Sequence, residues 1–338
     1  MIDFQYVRAD SIADAVRRLA ADPTAKFIAG GTNLVDLMKE GVERPSRLVD
    51  ISHLPLDRVE ETPSGGVRIG ALVPNADLAY HPLITQRYPL LSSAILAGAS
   101  AQLRNMASTG GNLLQRTRCH YFYDTATPCN KREPGSGCPA IGGINRTHAV
   151  LGTSEACIAT HPSDMCVALA ALEATVHVMG SEGARSIAFA DFHRLPGDTP
   201  QRDTNLLRDE IVTAVELPPR GFAANYSYLK IRDRLSYAFA LVSVAVALEI
   251  KGAIIGETRL ALGGVAHKPW RDPSAEAALR GRKADNQAFS DAARILLRDA
   301  KGSGHNTFKI DLARRAIIRA LTQAVAGTPQ SQSSKKIH

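Results

Sequence analysis

Four of the five cysteines, Cys119, Cys129, Cys138 and Cys157, are separated by 9, 8 and 18 intervening residues. The first three lie in an irregular stretch that also holds Pro128, Pro134, Gly135, Gly137 and Pro139. Four thiolates converge on one centre only when the backbone delivers them from different directions, and irregular chain permits that. Structural zinc sites usually pair their ligands roughly two to four residues apart, and no such pair occurs here. Iron–sulfur clusters take four thiolates with more varied spacings. A [4Fe-4S] centre therefore fits this pattern better than zinc, with zinc and unligated thiols as the alternatives. Residues 101–150 carry Arg104, Arg116, Arg118, Lys131, Arg132 and Arg146 against Asp124 and Glu133, a local excess of positive charge that suits an anionic cluster. His120 and His148 are alternative ligands. Cys166, in the apolar run Met165-Cys166-Val167-Ala168-Leu169, reads as a buried core thiol.

Two glycine-containing turns supply a second kind of chemistry. In Ile28-Ala29-Gly30-Gly31-Thr32-Asn33 the paired glycines allow positive φ and close backbone approach, so several N–H groups can point at one anion. The helix expected from Leu34 adds its partial positive charge, which favours phosphate or pyrophosphate. The Gly-x-Gly-x-x-Gly dinucleotide fingerprint is absent. A second turn, Ser108-Thr109-Gly110-Gly111-Asn112, raises the prospect that one extended diphosphate is gripped from both sides.

The elements that must position these residues are short and mixed. Strands are expected at 4–6, 26–29, 48–51 and 67–70, with helices over 12–19 and 34–38. Residues 75–101 read as helix broken at Pro82 and Pro89. Residues 115–153 have little hydrophobic period, and a loop that long inside a compact domain is normally functional or disordered. Further strands are expected at 157–159, 176–179, 187–189, 211–217, 226–231, 242–250 and 257–262, and helices at 165–172, 275–279, 292–297 and 313–325. Pro218-Pro219 marks the main boundary. Residues 327–338 read as a disordered tail.

Composition excludes several classes. With 338 residues, 45% hydrophobic and 22% charged, the chain can bury a sizeable core. Its richest apolar run, 238–250, is broken by Ser243 and Glu249 and is too short to span a bilayer. The net charge of +7 is not gathered into a basic arm, and aromatics make up only 5%, so nucleic acid is not an expected partner. The N-terminus lacks a basic region followed by an apolar stretch, and reads as a strand, not a secretory signal.

Ala29-Gly30-Gly31-Thr32-Asn33-Leu34, Ala107-Ser108-Thr109-Gly110-Gly111-Asn112-Leu113, His161-Pro162-Ser163-Asp164 and Leu262-Gly263-Gly264-Val265-Ala266-His267-Lys268-Pro269-Trp270 occur in this order. Over nearly the whole chain, to about residue 325, the sequence resembles the FAD-binding (medium) subunits of molybdenum hydroxylases. The cysteine loop is similar to that of FAD subunits of three-subunit periplasmic aldehyde oxidoreductases. The more distant hydroxybenzoyl-CoA reductase medium subunits also carry a [4Fe-4S] insertion.

The resemblance implies an α+β fold. A two-part FAD-binding domain of the vanillyl-alcohol-oxidase (PCMH) type spans 1–217, divided into 1–60 and 61–217 with the iron–sulfur insertion at 115–157. A C-terminal domain of the CO dehydrogenase flavoprotein type follows at 218–326. FAD pyrophosphate is implied on Lys26, Phe27, Ile28, Ala29, Gly30, Gly31, Thr32, Asn33 and Leu34, with Ser108, Thr109, Gly111 and Asn112 as the other side of the cradle. Arg118 joins the cofactor set. Asp164 is implied at the adenosine end, Val212 as an apolar contact and Lys230 near the flavin, where the residues alone suggest a solvated strand end. Cys119, Cys129, Cys138 and Cys157 are implied as [4Fe-4S] ligands.

The same resemblance implies a relay. An aldehyde is oxidised at molybdenum in a large partner, electrons cross [2Fe-2S] clusters in a small partner, and FAD here passes them to an external acceptor. No catalytic acid–base pair is expected in this chain. A signal-bearing partner is expected to carry it to the periplasm, with the cytoplasm as the alternative. Xanthine dehydrogenase or hydroxybenzoyl-CoA reductase type subunits, a zinc-stabilised scaffold without flavin, and a free-standing flavin oxidase are the rival readings.

Overall fold

Short alternating segments at the N-terminus build a small parallel sheet in the computed structural model, which describes residues 1–332. Strand β1 (Gln5–Arg8) is followed by α1 (Ile12–Ala21), β2 (Lys26–Ile28), α2 (Leu34–Lys39) and β3 (Arg47–Asp50), with β3 central. Helix α1 starts at Ser11, whose hydroxyl accepts from the Asp14 N–H, and buries Ala15, Val16 and Leu19 on one face. These side chains close a core with Val49, Ile51 and Leu54.

The second unit is a five-stranded antiparallel sheet in the order β4-β5-β8-β6-β7, from β4 (Val59–Glu61), β5 (Val67–Gly70), β6 (Thr175–Gly180), β7 (Gly183–Ala188) and β8 (Ile211–Leu217). Because β4 pairs with β5, the division between the first two units falls before Val59 rather than at residue 60. Helices α3 (Asn75–Tyr80), α4 (Pro82–Arg87) and α5 (Pro89–Ala97) fill 75–97 and are broken at the two prolines. They are followed by α6 (Ala101–Met106), α7 (Thr109–Leu113), α8 (His120–Tyr123), α9 (Asp164–Ala171) and α10 (Phe189–Phe192). Helices α5 and α9 are apolar nearly all round and pack together in the main core with Val67, Ile69, Val176 and Val215.

The C-terminal unit is an antiparallel sheet, β12-β11-β10-β9, from β9 (Asn225–Ile231), β10 (Val242–Lys251), β11 (Ile254–Gly263) and β12 (Trp270–Arg271). Helices α11 (Pro273–Ala277), α12 (Asn286–Leu296) and α13 (Phe308–Ala326) pack on it through Phe289, Ile317 and Leu321. Three expectations need correction. Residues 157–159 make only an isolated bridge between Ser154 and Cys157. The second glycine turn is a short helix, α7, capped by the Ser108 hydroxyl on the Gly111 N–H. The expected tail does not leave at 327: Gly327 caps α13 with φ of 65°, and the Gln330 side chain accepts from the Lys230 N–H. The rest of that segment, 333–338, lies outside the described residues.

Candidate functional site

The two glycine segments meet. A Cβ built on Gly30 would stand 1.7 Å from the Met106 carbonyl oxygen, one residue before the Ala107-Ser108 entry to α7, and only a residue without a side chain permits that approach. Asn33 adds a second tie, its Oδ1 accepting from the Arg116 N–H at 2.9 Å. Among the described residues, the N–H groups of Gly30, Gly31, Thr32 and Asn33 find no protein acceptor. Four consecutive unpaired donors on one bend, with φ of 69° at Gly31, form a place for an anion.

The second segment behaves differently. The N–H groups of Thr109 and Gly110 donate to the Val73 and Ala71 carbonyls, and those of Gly111 and Asn112 donate back to Ser108. Thr109 also sends its hydroxyl to Val73. This segment contributes an anchored wall instead of a row of free donors. Asn112 is the hub of that wall: its side chain reaches Asn75 and accepts from Ser163 and Gln115.

Between these segments, α5, α9 and the 233–241 loop lies a cleft of about 680 Å³, a normal size for a small-molecule or cofactor site. Thr32, Asn33, Gly111, Asn112, Arg118 and Asp164 line it. Six lining side chains hold buried polar atoms without a partner: Asn33 Nδ2, Asn75 Nδ2, Arg104 Nε, Arg118 Nε, His148 Nδ1 and His161 Nε2. Unpaired buried polar atoms are costly, so their concentration around one cleft marks it as built for a polar ligand. Arg118 is held by Asp36 at 2.9 Å and Tyr123 at 2.7 Å, with its guanidinium over the Phe239 ring.

The remaining expected contacts distribute unevenly. Lys26, Phe27 and Ile28 are sheet residues of β2, and the Lys26 ammonium pairs with Glu43 instead of facing the cleft. Val212 is buried in the main core on β8, away from the cleft lining. Lys230 is not a solvated strand end. Its ammonium is buried, 2.7 Å from Asp164 Oδ2 and 3.1 Å from the Ala97 carbonyl. Asp164 and Lys230 thus touch each other, and of the two Asp164 lines the cleft while Lys230 stands behind it.

Asn75, Arg104, His148, His161 and Phe239 also line the cleft and were not singled out as cofactor contacts from the sequence. The motif His161-Pro162-Ser163-Asp164 marks the place in the sequence, and its histidine lines the cleft together with its acid.

The long segment joining α7 to α9 is ordered by buried polar contacts. Cys119, Cys129, Cys138 and Cys157 line one small internal cavity with Tyr121, Phe122, Pro139 and Ala159. Asn130 organises three of the four: it accepts from the Gly135 and Gly137 N–H groups and donates to the Ala156 carbonyl, joining the neighbours of Cys129, Cys138 and Cys157. Positive φ at Gly135 and Gly137 lets the chain turn there. Burial pushes the Cys119 thiol up to about 12 and Cys157 to about 11, so without an electron-accepting centre they stay protonated. His148 Nε2 lies 3.1 Å from the Cys119 sulfur. Cys166 is fully buried in α9, outside this cavity.

The positive charge expected to balance a cluster is largely spent elsewhere. Arg116 pairs with Glu43 and Asp203, Arg118 with Asp36, Arg146 with Asp233, and buried Lys131 with Asp203 and His267. These acids lie outside residues 101–150, so a count over that segment alone misses them. Their work is to fasten the loop: Lys309 adds bonds to the carbonyls of His148 and Gly264, and Asn306 to that of Ala149.

Three buried histidines, His161 on the cleft wall and His193 and His267 behind it, give a pH dependence. Burial pushes His193 and His267 down to about 4 and His161 well below its ordinary value. Their unfolded value is about 6.5, so the stability they contribute is intact above that pH and is lost as pH falls toward 4, where unfolding takes up protons. Thermal unfolding is expected at a lower temperature at about pH 5 than above about pH 7, with more than one proton taken up per chain. A flat melting temperature across that interval would contradict the assignment.

Residues 2–220 match the family described as FAD binding domain in molybdopterin dehydrogenase, and residues 226–324 the CO dehydrogenase flavoprotein C-terminal domain. The chain is 53% identical over 324 residues to the aldehyde oxidoreductase FAD-binding subunit PaoB of Escherichia coli, covering 96% of this chain and 98% of that one. It is 30% identical over 292 residues to the glyceraldehyde dehydrogenase medium chain of Sulfolobus acidocaldarius, covering 86% of each. Among solved structures, carbon monoxide dehydrogenase from Hydrogenophaga pseudoflava superposes with a TM-score of 0.75 at 26% identity, covering 97% of this chain and 99% of that chain.

Proposed function

Because the chain belongs to the FAD-binding medium subunits of the molybdenum hydroxylases, we propose that it is the electron-transfer subunit of an aldehyde-oxidising heterotrimer. Its partners are a large molybdenum subunit and a small [2Fe-2S] subunit. The observation that carries the reading is the cleft with its ring of unpaired polar side chains, walled by Thr32 and Asn33 at the end of a bend whose four backbone donors are unpaired among the described residues. FAD in this cleft takes up and releases electrons singly or in pairs, and the protein's part is to hold it and set its environment.

The N–H groups of Gly30, Gly31, Thr32 and Asn33 bind the pyrophosphate. Ser108, Gly111 and Asn112 hold the opposite wall in register, and Arg118, Asn75 and His161 offer donors or acceptors to the polar parts of the cofactor. Asp164 lines the cleft and is held in place from behind by Lys230. Gly30→Ala is expected to force the two glycine segments apart, at a cost of about 1–3 kcal/mol. FAD retention through gel filtration should then fall about tenfold, equivalent to about 1.4 kcal/mol. Full retention would remove the tight backbone approach from the binding argument.

The cysteine cavity is read as a [4Fe-4S] site on Cys119, Cys129, Cys138 and Cys157. Support comes from their common cavity and from their spacing. The chain is further read as periplasmic, carried there by a signal-bearing partner.

Anaerobic purification of the assembled complex tests the whole reading. Flavin absorption with one FAD per chain, and iron matched by acid-labile sulfide assigned to this subunit, are expected. A flavin-free chain containing zinc would establish the scaffold alternative instead.

A further inference from the structure

His148 and Cys119 are the residues shared by the two sites. Each lines both the cleft and the cysteine cavity, whereas Cys129, Cys138 and Cys157 line only the latter. The imidazole is almost fully buried, with Nε2 3.1 Å from the Cys119 sulfur and Nδ1 buried without a partner. Its ring is fixed from several sides. The Asn145 carbonyl accepts from its backbone N–H, its own carbonyl accepts from Lys309, and the His120 and Tyr121 rings lie within 5.6 and 6.2 Å.

We propose that His148 is a positioning residue that couples the two sites, its Nε2–H donating to the Cys119 thiolate and setting the reduction potential of the bound cluster. The inference rests on the reading of the cysteine cavity as an iron–sulfur site. Its physical basis is general. A reduced cluster carries one more negative charge than the oxidised one, part of it on the ligand sulfurs, so an N–H donor stabilises the reduced form more strongly and raises the potential. A hydrogen bond to a charged group in a buried site is among the stronger kinds. Because Cys119, unlike the other three cysteines, also lines the cleft, the donor would act on the side of the cysteine cavity next to the proposed flavin site. With Nε2 donating, Nδ1 keeps a lone pair for a hydroxyl or N–H of a molecule filling the cleft.

The test uses the intact complex carrying His148→Phe or His148→Gln, with potentials read by electron paramagnetic resonance for the cluster and by visible absorption for the flavin. Phe keeps the ring without a donor, and Gln restores a donor of similar reach. In H148F the ratio of reduced to oxidised cluster at a fixed potential is expected to fall about tenfold, a shift of about 59 mV for a one-electron couple. H148Q should recover most of it, while the flavin potential moves less than the cluster potential.

Where H148F fails to assemble, pulsed resonance on the wild-type complex with 15N-histidine decides. Coupling of one histidine nitrogen to the reduced cluster is expected, and no such coupling overturns the proposal. An unchanged cluster potential in H148F overturns it too. Absence of iron from the wild-type cavity is a different result, and it overturns the underlying reading of the four cysteines.

Discussion

On the proposed iron–sulfur reading of the cysteine cavity, Cys129→Ser is expected to strip the chain of iron while leaving FAD in place. A serine hydroxyl is nearly the size of the thiol, so packing around residue 129 and the Cys129 N–H bond to Ser136 stay as they are. What changes is the ligand, since an alcohol is far harder to deprotonate than a thiol and binds iron poorly. Iron and acid-labile sulfide in this subunit should fall at least tenfold, about 1.4 kcal/mol or more of lost affinity. FAD should remain near one per chain, because the cleft is tied together by Gly30, Asn33 and Asn112 through contacts that do not involve the cavity. Cys166→Ser is the matched control: it places a hydroxyl in the fully buried face of α9 and lowers stability, yet should keep the iron. Wild-type iron content in C129S would exclude Cys129 as a ligand. Activity of the iron-free complex with an artificial acceptor then separates a relay role for the cluster, which predicts slow turnover, from a purely structural one.

The second large effect concerns the Asp164–Lys230 pair. Asp164 opens α9 in the FAD-binding domain and Lys230 comes from β9 in the C-terminal domain, so the bond fastens one unit to the other beneath the cleft. Tyr228, on the same face of β9, adds its hydroxyl to Asp164 Oδ1 at 2.7 Å. Both charged side chains are almost entirely buried. Removing one partner of a buried pair leaves the other charge unpaired, which costs about 3–5 kcal/mol, whereas removing both often costs much less. Asp164→Asn and Lys230→Met are each expected to lower the stability of the chain by about that amount in urea unfolding, and the double variant by less than the sum. Additive losses would show that the two charges do not act as a pair. FAD retention should fall with Asp164→Asn, since Asp164 itself lines the cleft.

Local chemistry was legible wherever the relevant signal lies within a few residues. Gly30-Gly31, the prolines that break α3, α4 and α5, and the apolar faces of α1 and α13 act through their own backbone and nearest turns. The four cysteines stood apart from Cys166 because the surrounding segments differ in periodicity, irregular for the four and helical for the fifth. Misplaced residues failed for the opposite reason. Lys230 reads as solvated until Asp164, 66 positions away, is seen against it. Lys131 reads as a free charge until Asp203 and His267 close over it. Ser108 to Asn112 reads as a turn because its helix is one short segment capped by its own serine.

By itself, then, the chain determined which groups it offers a ligand: a glycine bend that can present backbone donors to an anion, and four thiols in irregular chain apart from a fifth in a helix, since residue type and short spacing govern both. Only the tertiary structure decided that Gly30 abuts Met106, that Lys230 is buried against Asp164 behind the cleft, and that Cys119 and His148 face two cavities at once. Those facts depend on burial and contact between segments far apart in sequence, where charge and hydrogen-bonding partners are set by packing and not by neighbours along the chain.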